Sequence, residues 1–185
     1  MNIAVYLGSR PGNSPAYTKN AQVLGSWIGK NGYTLVYGGS NGGLMGVLAS
    51  AALQEKGSVI GVLPKVDAIL KRTQAGLSEY IYTEDVAARR SRMIGLADAF
   101  IVLPGGLGTI DEITEVLSLA SLGLARQPII FFGADGYFEP FKALFQHMID
   151  QGFSSETYFT NVCFTESLEE LSAFLGEHNI KANSN

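Results

Sequence analysis

Ala99-Phe100-Ile101-Val102-Leu103-Pro104-Gly105-Gly106-Leu107-Gly108-Thr109-Ile110-Asp111-Glu112 changes character twice over its length. Ala99–Leu103 is apolar throughout, as a strand covered on both faces requires. Pro104 and the glycines at 105, 106 and 108 then break the run, and apolar residues resume at helical spacing at Ile110, Ile113 and Leu117. A buried strand that passes through a glycine-rich loop into an amphipathic helix is the unit of a parallel α/β sheet.

The same alternation recurs along the chain. Strands are predicted at Ile3–Leu7, Thr34–Tyr37, Val59–Leu63, Ala99–Leu103 and Ile129–Phe132, with helices near Pro15–Asn31, Gly43–Lys56, Glu84–Ala97, Thr109–Leu122, Phe138–Gln151 and Ser167–Glu177. The fold class is therefore α/β: a Rossmann-like, doubly wound parallel sheet in a single domain, residues 1–178, with a frayed tail at 179–185. Pro64–Tyr80 is irregular and mixed in charge, and is expected to form a loop over the ligand site.

With 185 residues and 46% hydrophobic content, the chain can bury a full sheet under two helical layers. A formal charge of −4 gives no broad basic surface for a nucleic-acid polymer. The single cysteine, Cys163, cannot pair within the chain and reads as a small buried hydrophobe, so a cytoplasmic location is expected. The uncharged stretch Asn31–Gln54 is interrupted by Gly38-Gly39-Ser40-Asn41-Gly42-Gly43, which argues against a membrane span.

In open α/β sheets, ligands sit beyond the carboxyl ends of the strands. That directs attention to Gly8-Ser9-Arg10, to Gly38–Gly46 and to Pro104–Thr109. In the third loop, glycines let the backbone approach a ligand, while free amides and the dipole at the helix start favour an anion. A ligand-free strand-to-helix turn would have the same composition. Neither Gly-x-x-x-x-Gly-Lys-Ser/Thr nor a Gly-x-Gly-x-x-Gly after the first strand occurs, so NTPase and NAD readings weaken and a nucleoside 5′-monophosphate is the simplest occupant.

Glu112 lies on the Thr109 face of the helix and can reach a ribose carbon near that phosphate, where a carboxylate would stabilise an oxocarbenium-like cation or direct water. The plainer account is an acid favoured by the helix dipole. Glu115 continues this face. In the preceding helix Arg89 is best placed to meet the ligand, against the alternative of a surface pair with Asp85.

The run from Asp98 to Glu112 resembles the Pro-Gly-Gly-x-Gly-Thr-x-x-Glu signature of the LONELY GUY (LOG) family of cytokinin-activating phosphoribohydrolases. The resemblance extends to Gly8-Ser9, Leu35–Gly39, Gly43–Gly46, Val59–Lys65, Gln127-Pro128 and Asp135–Tyr137. It implies a homodimer that hydrolyses N6-modified AMP, or AMP itself, to base and ribose 5-phosphate with no metal or organic cofactor. Arg89 and Glu112 would be the catalytic pair.

The resemblance also implies substrate contacts from Gly8, Ser9, Gly38, Gly39, Gly43 and Met45 in the first two loops. Pro104, Gly105, Gly106, Leu107, Gly108 and Thr109 would follow in the third, with Ile110, Asp111, Glu115 and Ser118 along its helix and Arg90 and Met93 on the helix before. Val86-Ala87-Ala88-Arg89-Arg90 departs from the family's Met-His-x-Arg-Lys, and Val66–Leu77 has no clear counterpart of its Pro-Arg-Glu-Ile-Thr-Gly-Glu, so base preference stays open.

Three other readings compete. Gly38-Gly39-Ser40-Asn41-Gly42 satisfies the Gly-x-Ser-x-Gly pattern of a serine hydrolase, which would need His147 or His178 as base. A non-catalytic module could hold a nucleotide or phosphorylated cofactor in the same pocket. A lysine decarboxylase would need a Schiff-base lysine, and no lysine lies in a suitable motif. Two isolated histidines and one cysteine make no zinc set. Ser118–Ala125 is more apolar than one buried face requires and is predicted to form the dimer interface.

Overall fold

The computed structural model describes the backbone of residues 1–182 and the side chains of residues 1–178. Strands β1 (Asn2–Tyr6), β2 (Thr34–Tyr37), β3 (Ser58–Pro64), β4 (Glu79–Thr83), β5 (Ala99–Val102), β6 (Ile129–Phe132) and β7 (Val162–Thr165) form one parallel sheet in the order β4-β3-β2-β1-β5-β6-β7. The chain winds outward from β1 to β4, then returns to lay β5 against the other side of β1. The loops after β1 and β5 therefore diverge to opposite faces and leave a crevice between them.

Helices α1 (Pro15–Lys30), α2 (Gly43–Gln54) and α7 (Leu168–Ala182) cover one face, contributing Leu24, Ile28, Leu48 and Leu171 to its core. Helices α4 (Val86–Leu96), α5 (Leu107–Ser121) and α6 (Glu139–Asp150) cover the other with Met93, Ile113, Val116 and Phe145. Helix α1 starts where Ser14 accepts from the Ala16 amide at 3.2 Å and Pro15 presets the first turn. It packs closely on α2: a Cβ at Gly25 would lie 2.9 Å from that of Ala51.

β4 and β7 were not anticipated. Both are sheet edges, and edge strands bury too little to need a continuous apolar run. Glu79-Tyr80-Ile81-Tyr82-Thr83 is largely half-buried or exposed, and Val162-Cys163-Phe164-Thr165 fully buries only Thr165. Cys163 is accordingly half-buried on β7 rather than inside the core. Pro64–Tyr80 is not wholly irregular, since it contains the single turn α3 (Asp67–Leu70). Helix α7 continues to Ala182, past the expected start of the tail at 179, and 183–185 lie outside the described residues. No helix among the described residues is long and apolar enough to cross a membrane.

Candidate active site

A cleft of about 790 Å³ opens over the carboxyl ends of β1, β2 and β5. Its floor is the third loop. The Gly8 amide donates to the Pro104 carbonyl at 3.0 Å, and the Tyr137 hydroxyl donates to the Gly105 carbonyl at 2.5 Å, so the loop is pinned from both sides. Gly106, the N-cap of α5, brings no side-chain hydrogen bond to the first turn. The amides of Leu107 and Gly108, at the first turn of α5, thus have no partner within the helix and can take an anion.

Helix α5 begins at Leu107, before the expected Thr109. This places Glu112 beyond the first turn, where the dipole falls away and no longer accounts for an acid. Glu112 is in fact buried, 7% exposed, and its Oε1 is bonded by Nη2 of Arg89 from α4. Burial drives the Glu112 carboxyl above the usual range, and Arg89 offsets part of that rise.

Asp85 is not the partner of Arg89. It caps α4 by accepting from the Ala88 amide at 2.7 Å, which leaves the arginine free to cross to α5. Arg90 runs parallel to it, bonding Asp111 at 2.8 Å and Glu115 at 2.6 Å. Two buried atoms beside the Arg89–Glu112 pair, Arg89 Nε and the Tyr6 hydroxyl, have no hydrogen-bond partner among the described residues.

Of the residues expected to meet ligand, the structure brings Gly8, Ser9, Gly38, Met45, Arg89, Arg90, Pro104–Thr109, Asp111 and Glu112 to the cleft wall. The others do not line the cleft of the single chain. Gly39 faces Leu63, and Gly43 packs on the Ser9 carbonyl. Met93, one turn beyond Arg89, points into the core at 0% exposure. Ile110 faces away, Glu115 is held by Arg90, and Ser118 is exposed further down α5.

Sequence reasoning missed Arg72, Ile69, Tyr17 and Tyr137. They arrive by tertiary ties: the Asn41 amide donates to the Arg72 carbonyl at 2.7 Å, and Gln74 N to that of Gly39 at 2.8 Å. These bonds hold the segment after β3 over the cleft, as anticipated for Pro64–Tyr80, and fasten the Ser40-Asn41-Gly42 loop to it. Neither histidine lines the cleft, so Ser40 has no general base there, and no lysine lines it for a Schiff base.

The chain is 36% identical over 169 residues to the cytokinin riboside 5′-monophosphate phosphoribohydrolase of Rhodococcoides fascians, covering 91% of this chain and 85% of the relative. It belongs to the LOG family. The profile of the family described as "Possible lysine decarboxylase" matches residues 45–175. A second LOG relative, the enzyme of the same name from Arabidopsis thaliana, is 37% identical over 153 residues, with 83% of this chain and 70% of the relative covered.

Solved structures share the fold of this LOG chain. The molybdenum cofactor binding protein of Rippkaea orientalis superposes with a TM-score of 0.72 at 24% identity, covering 95% of both chains. The molybdenum cofactor carrier protein of Chlamydomonas reinhardtii does so at 0.73 and 18%, covering 97% of this chain and 98% of the other.

Proposed function

We propose that this LOG protein hydrolyses the N-glycosidic bond of a nucleoside 5′-monophosphate, AMP or an N6-modified AMP, to free base and ribose 5-phosphate. The observation that carries the reading is the buried Arg89–Glu112 pair beside an uncapped glycine loop. Amides of Leu107 and Gly108 hold the phosphate, which sets the ribose over Glu112. Leu44, Met45 and Ile69 offer an apolar wall for a purine face or for a hydrocarbon substituent on its exocyclic nitrogen.

As the C1′–N bond breaks, its electron pair leaves with the base, which takes up a proton. Positive charge develops on the sugar, the Glu112 carboxylate faces it, and water adds to C1′, giving up a proton that balances the one taken up by the base. Arg89 pairs with the carboxylate and contacts the nucleotide when substrate binds. Incubation with a panel of nucleoside monophosphates, with free base followed by chromatography, tests the class and base preference together. Tight binding of AMP without base release would favour a non-catalytic carrier instead.

The reaction needs Glu112 ionised. Because burial raises its carboxyl, activity is expected to fall as pH drops through a midpoint above the ordinary glutamate value, and to be retained above it. The acid limb of the pH profile of kcat/KM reads this directly. A limb at or below the ordinary value would contradict the assignment.

We further propose a homodimer joined through the end of α5. Leu122 and Leu124 are 69% and 72% exposed there, continuing the apolar stretch Ser118–Ala125. Light scattering is expected to return about twice 19.8 kDa at micromolar concentration, and a stable monomer would rule it out.

A further inference from the structure

Buried polar groups without a partner are rare, because each gives up its bonds to water for nothing in return. Two of them, the Tyr6 hydroxyl and Arg89 Nε, flank the buried Arg89–Glu112 ion pair of the cleft. The sheet brings them together. Ala4 is registered with Val36 and Tyr6 with Val102, so the β1–β2 register, continued to the strand ends, sets Tyr6 beside Gly38. A Cβ on Gly38 would lie 3.3 Å from Nη2 and 3.4 Å from Cζ of Arg89, so the guanidinium rests on the open face of that glycine.

Tyr6 is on the same face. Its ring packs in the core formed with Met93 of α4 and with Ile113 and Val116 of α5. Arg89 and Glu112 stand one helical turn before Met93 and Val116, on the cleft side of that layer. The phenol therefore rises from the sheet beneath the pair. It stays protonated, since burial first and then the negative charge of Glu112 push it up, while Arg89 opposes; Glu115 and Arg90 are the more distant charges that bear on it.

We propose that Tyr6 is a positioning residue of this site, its hydroxyl taking over as hydrogen-bond donor to the Glu112 carboxylate when Arg89 turns toward a bound nucleotide, a role that rests on the hydrolase reading above. In the structure Arg89 Nη2 bonds Glu112 Oε1. Drawing the guanidinium toward substrate would strip a buried carboxylate of its donor, and the phenol is the group placed to replace it. The phenolic oxygen can in turn accept from the free Nε–H, so the one rearrangement gives both orphaned atoms a partner. Glu112 then stays ionised and aimed at the sugar while Arg89 serves the ligand.

Tyr37 supplies a matched control. Its hydroxyl is likewise buried without a partner, but its ring lies in the core on the opposite face of the sheet, with Leu44 and Leu77. Removing either orphaned hydroxyl should leave the thermal midpoint unchanged or raised. Only Tyr6→Phe should lower kcat, by about tenfold, with KM for AMP held. With ribose 5-phosphate bound, only Tyr6→Phe should raise the pH at which the Glu112 carboxyl titrates, followed by its ¹³C resonance. If in that bound state the titration coincides in Tyr6→Phe and the parent, the proposal is overturned, whatever the activity. A parent that releases no base would instead overturn the hydrolase reading and leave the titration to decide on Tyr6.

Discussion

Glu112→Gln is expected to lower turnover of AMP by about 10²–10⁴-fold while leaving its affinity nearly unchanged. Glutamine keeps the size of the side chain, and its carbonyl oxygen can still accept from Arg89. What it removes is the negative charge that, in the proposed mechanism, faces the sugar as the glycosidic bond breaks. That charge is effective because Glu112 is only 7% exposed, so little water screens it. On the proposed reading, ground-state binding rests on the amides at the start of α5, which the substitution does not touch, and can rise slightly as repulsion of the phosphate is relieved. Arg89→Ala should lower turnover too, but with loss of affinity, because it strands a buried carboxylate and removes the proposed nucleotide contact. Calorimetric titration of AMP beside base release separates the two. Turnover of Glu112→Gln within about threefold of the parent would remove this residue from the mechanism.

Gly105→Ala should do the reverse, weakening AMP by about 10- to 100-fold through the loop rather than through the chemistry. A Cβ at this position would stand 2.7 Å from that of Thr109 and 2.9 Å from the Gly8 amide nitrogen, both inside contact distance. Thr109 is 4% exposed and has nowhere to go, and Gly8 N is committed to the Pro104 carbonyl. The loop itself must shift, carrying the Leu107 and Gly108 amides away from the proposed phosphate position. Inorganic phosphate should lose its ability to compete in the same proportion as AMP binding falls. Unaltered AMP affinity in a folded Gly105→Ala protein would place the phosphate elsewhere.

These two expectations draw on different kinds of information. The strand, loop and helix of residues 99–112 were legible because a doubly covered strand must be apolar throughout and a tight turn into a helix with close backbone approach favours glycine. The central strands could be read for the same reason, and the edges β4 and β7 could not, since half-exposed strands carry no distinctive pattern. Helix α4 shows where local reasoning stops. Asp85 and Arg89 have the spacing of a surface pair, yet the aspartate caps the helix and the arginine spans to another element.

What the sequence determined by itself was the parallel α/β order, the glycine loop that ends β5 and the presence of Arg89 and Glu112 in segments flanking that strand. Each follows from residue type and short-range spacing, which fix backbone freedom and periodic burial. The tertiary structure decided which charges meet, which of them lose water, and what else closes the cleft. Arg89 and Glu112 pair because β5 sets α4 and α5 side by side on one face of the sheet, and Tyr6 comes beneath them because β1 lies between β2 and β5. Arg72 and Ile69 reach the cleft through bonds from the chain after β3 to the β2 loop. Desolvation and ion pairing depend on distances between segments far apart in the chain, and local composition does not encode those distances.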